Sequence, residues 1–424
     1  MSGPNTQAVR RRIDQQELDA ICARHDRLWQ AKPGGARAVL AWLDLSGLSL
    51  AGRNLADADF AAACMHGTDL TGAKLDNATF FGADMQDCIL VDASMRRADL
   101  RGASLRGSDL TGADLFEADL REGTIAAADS KLGFRVVEAK ARNNAEAQGA
   151  CLVGANLQRS KLTGVVAVAA DFTDAIMKDC KLVRANLKQA SFKGADLAGA
   201  DLSGADLTGA DLRDAILVGV KMTMWRTDGA DMTGALTDDR SVGAPVGKMP
   251  AAEMLAEHAQ WCETGGSHGR PSVFDGVDLR ALKSIKGYNL TALSAKGAVF
   301  YGLDMEGVQL QGAHLEDADL RSVNLRGADL RGARLTGARL NGSDMRGAQL
   351  GPLMLTADRL LPADLTRACL KGADLSGADL KRANLSDADL TRAILLGACL
   401  TQADMFGANT TSARGLEVET SPIA

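Results

Sequence analysis

The stretch Gly194-Ala195-Asp196-Leu197-Ala198-Gly199-Ala200-Asp201-Leu202-Ser203-Gly204-Ala205-Asp206-Leu207-Thr208-Gly209-Ala210-Asp211-Leu212 decides the fold. Its unit is Ala-Asp-Leu followed by two small or polar residues, the second usually Gly. A period of five matches neither the 3.6 of a helix nor the 2 of a continuous strand. It reads as a three-residue strand followed by a corner. Alternate strand side chains face opposite sides, so Ala195 and Leu197 point inward while Asp196 points outward. The last two residues bend the chain, and Gly tolerates the backbone geometry a tight bend needs.

Working outward, the same frame runs through most of the 424 residues. Every fifth residue from Leu45 to Ile125 is apolar, 17 positions without exception. The rule holds from Leu152 to Met232, where Ala167 and Thr227 are the weak members of 17. It holds again from Leu290 to Met405, where Ala295 is the one weak member of 24. The residue two before each is small, as at Ala58, Ala73 and Ala113. A narrow interior explains that size limit. Each short strand can pair with its equivalent one coil away, at a spacing of roughly 4.8 Å.

Periodicity leaves open how many sides close a coil. The run 194–212 resembles the pentapeptide-repeat family, and about 58 units of the chain share that resemblance. It implies four sides, a right-handed twist and about twenty residues per coil. The expected fold is therefore an all-β solenoid: two right-handed quadrilateral (four-sided) β-helices in tandem, each preceded by an α-helical N-terminal cap.

Breaks in the frame set the expected domains. Residues 1–36 form an N-terminal helical cap, with Gln7–Trp29 helical and Pro33-Gly34-Gly35 ending it. Residues 37–240 form the first solenoid, interrupted at 126–150, where a small hairpin and a polar stretch Lys140–Gln148 are expected to project. Residues 241–273 hold a linker with Pro245 and Pro250 and a second helix, Ala251–Trp261. Residues 274–412 form the second solenoid and 413–424 a tail. The helices correspond: His25 precedes Trp29, His258 precedes Trp261, and Gly35 to Asp44 matches Gly269 to Asp278 in length. This suggests a duplicated module.

Composition narrows the function. Net charge is −6, with +2 over residues 1–35, −6 over 36–240 and zero over 274–412, so no global nucleic-acid binder stands out. No run of 18 apolar residues offers a membrane span. The 8 Cys show no paired spacing and read as free thiols of a cytoplasmic protein. Cys22 with His25, or His258 with Cys262, supply half a structural zinc site each, in opposite order, so no metal is expected. No phosphate loop and no catalytic constellation emerge. The expectation is a non-enzyme without a cofactor.

The outward positions are the candidate partner surface. Asp196, Asp201, Asp206 and Asp211 place an acid on four successive sides. Arg321, Arg326, Arg331, Arg334, Arg339 and Arg346 crowd basic groups against Asp329 and Asp344, with Arg326 stacked on Arg346. Rigid repeat surfaces without reactive groups suit a scaffold that binds another protein, its partner unnamed. The resemblance implies an alternative, since some family members mimic DNA and protect DNA gyrase or topoisomerase IV. Acidic residues and the projecting segment favour that alternative, while the Arg belt and tandem form oppose it. Direct nucleic-acid binding through the Arg belt is disfavoured. The resemblance also suggests a homodimer through the C-terminal coils.

Overall fold

The computed structural model describes residues 10–123, 126–129, 133–136, 144–238, 250–356 and 358–416. The chain divides into two compact units, Met1–Asp238 and Asp239–Ala424. Within the first, each outward residue pairs in parallel with its equivalent one coil further on: Val39 with Asp59, Asp44 with Cys64, Ser49 with Asp69, Asn54 with Lys74. The next pairing, Asp59 with Thr79, returns to the side where Val39 began, so each coil has four sides. The second unit repeats the pattern, as in Ser284 with Asp304 and Asn289 with Gln309.

One repeat shows where its backbone amides go. Leu202 N–H donates to the Lys221 carbonyl at 2.9 Å, and Gly204 N–H to Thr223 at 2.8 Å, both one coil onward. Asp201 N–H donates one coil back, to Cys180 at 2.9 Å. Ala205 N–H closes the corner on the Leu202 carbonyl at 2.9 Å. Gly204 sits at φ 68°, the left-handed value a type II turn demands at that place. The remaining amide, Ser203 N–H, donates to Asp201 Oδ1 at 3.1 Å. Buried or half-buried amides need partners. Asp therefore recurs because its carboxylate takes the one amide the coil leaves over.

The inward residues form one core per unit, from Ile13 to Leu217 in the first and from Leu255 to Leu395 in the second. Phe60 stacks on Phe80 at 4.8 Å and Phe172 on Phe192 at 4.9 Å, the spacing of adjacent coils. Where the small inward residue is polar, it can bond to a carbonyl of the preceding coil. Thr68 Oγ1 donates to Leu45 at 3.0 Å and Ser108 Oγ to Met85 at 2.6 Å.

Helix α1 spans Gln15–Trp29, with Asp14 as N-cap accepting from Glu17 N–H at 2.8 Å. The helix expected from Gln7 thus begins later, at Gln15. A carboxylate at the N-cap ends the helix there, and upstream Arg11–Arg12 (β1) pairs in parallel with Leu43–Asp44 (β2). Residues 7–9 lie outside the described residues. The second helix, α2, spans Ala251–Glu263 and begins after Pro250.

Two insertions leave the coil. Ser104, Asp109, Asp114 and Asp119 pair across a lengthened gap, with Glu146, Cys151, Asn156 and Lys161. In an uninterrupted coil Ser104 would have met position 124 instead. A hairpin lies in the gap, Ala126–Asp129 (β3) antiparallel to Gly133–Val136 (β4). The interruption was expected to reach Ala150. Instead the coil resumes at Ala145, which is buried, and Glu146 bridges Ser104 to Val166. Of the expected polar stretch, residues 140–143 lie outside the described residues.

The second insertion is unmarked in the five-residue frame. Arg334 pairs with Asp364, where an uninterrupted coil would offer position 354. The added segment forms a hairpin of Leu353–Thr356 (β5) and Arg359–Leu361 (β6). Leu355 and Leu360, expected in the core, are 46% and 40% exposed. The insertion is two repeats long, so the apolar rhythm continues across a segment that has left the coil. The second solenoid also outlasts its expected end at 412, since Arg414 pairs with Ile394. Residues 239–249 and 417–424 lie outside the described residues.

Candidate docking surfaces

Each Asp of the expected acidic set caps the corner after it. Asp196, Asp201, Asp206 and Asp211 accept from the amides of Ala198, Ser203, Thr208 and Arg213 at 3.0–3.2 Å. They occupy the four sides in turn, pairing with Ile216, Lys221, Arg226 and Asp231. Asp196 is buried and lies 3.1 Å from Lys178 Nζ. Asp206 has Lys188 at 3.5 Å and Arg226 at 3.9 Å, and Asp211 is held by Arg213. The Arg213 hydrogen bond holds the Asp211 carboxyl below the usual range, and those of Ser203 and Thr208 do the same for Asp201 and Asp206.

The basic set is similarly engaged. Arg321 is 2% exposed and grips Asp319 with Nε at 2.8 Å and a terminal nitrogen at 2.6 Å. Arg331 grips Asp329 at 2.9 and 2.6 Å, and Arg346 grips Asp344 at 2.8 and 2.5 Å. Arg326 lies 3.5 Å from Asp344, and it stacks with Arg346, whose carbonyl accepts from Gly327 N–H at 2.9 Å. These Arg sit on three different corners, after Asp319, after Asn324 and Asp344, and after Asp329, so they wind around the unit. Arg334 and Arg339 occupy two different sides, paired with Asp364 and Cys369.

The recurring clamp is Asp-Leu-Arg or Asp-Met-Arg. It also occurs at Asp99–Arg101, Asp119–Arg121, Asp211–Arg213 and Asp278–Arg280. Asp takes the Arg amide and guanidinium together, so two residues satisfy a corner and neutralise their own charge. The tripeptide is visible in the sequence and is the signal that a belt reading overlooks.

A different row of acids emerges from the coil geometry. Asp69, Asp109 and Asp171 occupy one side of the first unit, two coils apart each, with Ile89 and Cys151 on the coils between. The first insertion falls between Asp109 and Cys151 and hides this alignment from the sequence. Asp87 and Asp92 flank Ile89, which is 44% exposed. Among the described residues, Asp69, Asp92, Asp109 and Asp171 have no Lys or Arg within 4.0 Å. Asp87 faces His66 at 3.6 Å.

On the second unit, the β5–β6 hairpin presents Met354, 68% exposed, beside Leu355 and Leu360. Its base rests on the coil. A Cβ on Gly332 would come within 2.8 Å of Leu353 and 3.1 Å of Leu361, and Gly332 has φ 66°. Among the described residues no cluster of His, Cys, Asp and Glu could hold a metal ion, and no helix is long and apolar enough to cross a membrane.

The family profile described as Pentapeptide repeats matches in eight copies, over residues 38–77, 78–115, 93–123, 150–189, 185–223, 313–350 and 363–407. No curated protein matches the chain by sequence. Among solved structures, Rfr23 from the cyanobacterium Cyanothece 51142 is 26% identical over 32% of this chain and 91% of its own, with TM-score 0.22. A trypsin-treated variant of QnrB1, a plasmid-mediated fluoroquinolone resistance protein, is 21% identical over 48% and 93%, with TM-score 0.27. HetL, a pentapeptide repeat protein involved in heterocyst differentiation regulation in Nostoc sp. strain PCC 7120, is 23% identical over 92% and 94%, with TM-score 0.15. With matches over more than half its length and a five-residue frame wound into four-sided coils, this chain belongs to the pentapeptide-repeat family.

Proposed function

We propose that this protein is a non-catalytic, cytoplasmic scaffold that binds another protein, with tandem right-handed solenoids as its rigid frame. The observation that carries this reading is the β5–β6 hairpin, which leaves an otherwise continuous coil and exposes Met354, Leu355 and Leu360 together. A water-facing apolar cluster on a rigid support marks an interaction site. Loops held by a scaffold are common places for binding. Protein capture from a lysate, comparing the full chain with one lacking residues 353–362, tests it. A partner retained by the first and lost by the second supports the reading; identical retention removes the hairpin from it.

A second reading, protection of a type II topoisomerase by mimicry of DNA, draws on the row Asp69, Asp109 and Asp171. Mimicry depends on charge density. The row carries one acid per roughly 10 Å, two coils of about 4.8 Å each. Duplex DNA carries one charge per about 1.7 Å of axis. The shortfall puts the scaffold reading first. Retention of supercoiling by gyrase in a quinolone, with and without this protein, decides the second reading.

Further features belong to the same proposal. The two helices close the entry ends of their solenoids. The last coil of the second unit leaves Leu396 and Phe406 exposed, which suits a homodimer through the C-terminal coils. Sedimentation that shows a monomer at micromolar concentration would remove the dimer.

A further inference from the structure

Each helix meets the first coil of its own unit through one buried imidazole. His25 is fully buried, and its Nδ1 accepts the Ala38 amide at 3.0 Å. Its Nε2 accepts from Trp29 Nε1–H at 3.2 Å, and the Ala56 carbonyl lies near the ring. His258 is 1% exposed; its Nδ1 accepts the Ser272 amide at 2.9 Å, and its Nε2 lies 3.1 Å from the Thr291 carbonyl. For His258, an acceptor role at Nδ1 and a carbonyl at Nε2 specify the neutral ring with its proton on Nε2. The two sites share the strand-edge amide at Nδ1 and differ at Nε2.

Both rings close an open strand edge. An unpaired coil edge is a template for another strand. In the first unit that edge is covered by three devices in a row. β1 pairs with β2, the Gln15 amide exchanges two 2.9 Å hydrogen bonds with Ser49, and His25 takes Ala38. In the second unit Ser272 Oγ adds a bond to the Met254 carbonyl at 2.9 Å.

The geometry points to a pair of acid-operated latches, in which protonation of His25 and His258 frees α1 and α2 from their coils and uncovers the first strand edges. A proton on Nδ1 replaces the acceptor with a donor that faces an N–H, so the bond becomes a repulsion. The surroundings oppose the charge. Burial lowers the affinity of both rings for a proton. Around His25 the charged groups are Asp26 on its own helix and Asp57 and Arg37 from the coil, whose signs partly cancel. Cys22 lies one turn before it on the helix, and Trp29 Nε1–H donates to its Nε2. Around His258 the titratable neighbour is Cys262, which shares the Thr291 carbonyl at 3.5 Å, and Trp261 lies against the ring.

The sign follows from linkage. A released imidazole titrates near 6.5 and a docked one below it, so the released state binds more protons. Docking is complete above about pH 6.5 and weakens as the pH falls through the docked value. Edges uncovered in this way would recruit a second strand, making self-association a low-pH property.

Hydrogen exchange of the full chain at pH 7.5 and 5.0, corrected for the intrinsic rate, tests the latches. In the natural protein, peptides of α1, α2, Ala38 and Ser272 should lose protection several-fold at the lower pH, the direction in which burial shifts both rings. His25→Asn with His258→Asn keeps an acceptor oxygen at the Nδ1 place without a titrating ring, and should remove most of that loss. A natural protein with less than twofold loss, or an equal loss in the double variant, overturns the inference. If the variant does not fold, imidazole nitrogen shifts of the natural protein decide it. His25 and His258 should stay neutral to a pH below the ordinary 6.5 of a free imidazole, and titration of both at that value would sink it.

Discussion

Asp201 shows how one residue serves the coil. Its carboxylate accepts the Ser203 amide, the only one of its repeat without a backbone partner. Asp201→Ala should lower stability by about 1 kcal/mol, as loss of a capping acceptor does. Asp201→Asn should cost less, because the acceptor oxygen stays. Denaturant titration separates the two. The paired Arg differ by burial. Arg321→Ala strands a buried carboxylate on Asp319 and should cost about 3–5 kcal/mol, whereas Arg346→Ala, at an exposed pair, should cost far less. Equal losses would place both pairs in the same environment. The Arg346 hydrogen bond also holds the Asp344 carboxyl below its usual 3.8. A depressed carboxyl contributes stability above that value, lost as the pH falls through the folded one. Asp344→Asn should flatten this acid limb in melts between pH 5 and 2. Thiols divide in the same way: burial pushes Cys88 and Cys180 up to about 12, while Cys399 is exposed and the Thr401 hydroxyl lowers it. Alkylation at neutral pH should mark Cys399 first and Cys88 and Cys180 only on unfolding, as peptide mass mapping would show.

Insertions show what an element may do without harming its neighbours. Removing 123–144 would return Ser104 and Glu146 to the pairing distance of the regular coils, and removing 353–362 would do the same for Arg334 and Asp364. Either shortened chain should fold with unchanged far-ultraviolet dichroism and a melting temperature at or above that of the full chain, since loop closure costs entropy. Cutting slightly more or slightly less, out of step with the coil, should destroy the register and lower the melt sharply. A collapse of both in-register deletions would show that the inserts hold the coils together. The first insert was legible because it shifts the five-residue frame; the second was not, because it preserves it. Leu355 and Leu360 obey the sequence rule and still face water.

The two units each own a core, and no residue belongs to both clusters. Residues 1–238 and 239–424 should therefore each fold when made separately, with cooperative melts, a result that dichroism on the two pieces would establish. Failure of either piece would show that its fold needs the rest of the chain. By itself the sequence determined the strand-and-corner frame, the inward Ala and Leu and the outward Asp. These depend on which way successive side chains point, a property of neighbours in the chain. The tertiary structure alone decided which acids share a side, that Arg321 is buried while Arg346 is not, and that His25 and His258 each accept a strand-edge amide. Those features depend on residues one coil apart, and their pairing is set by insertion lengths counted against a full turn of the solenoid, which no local pattern records.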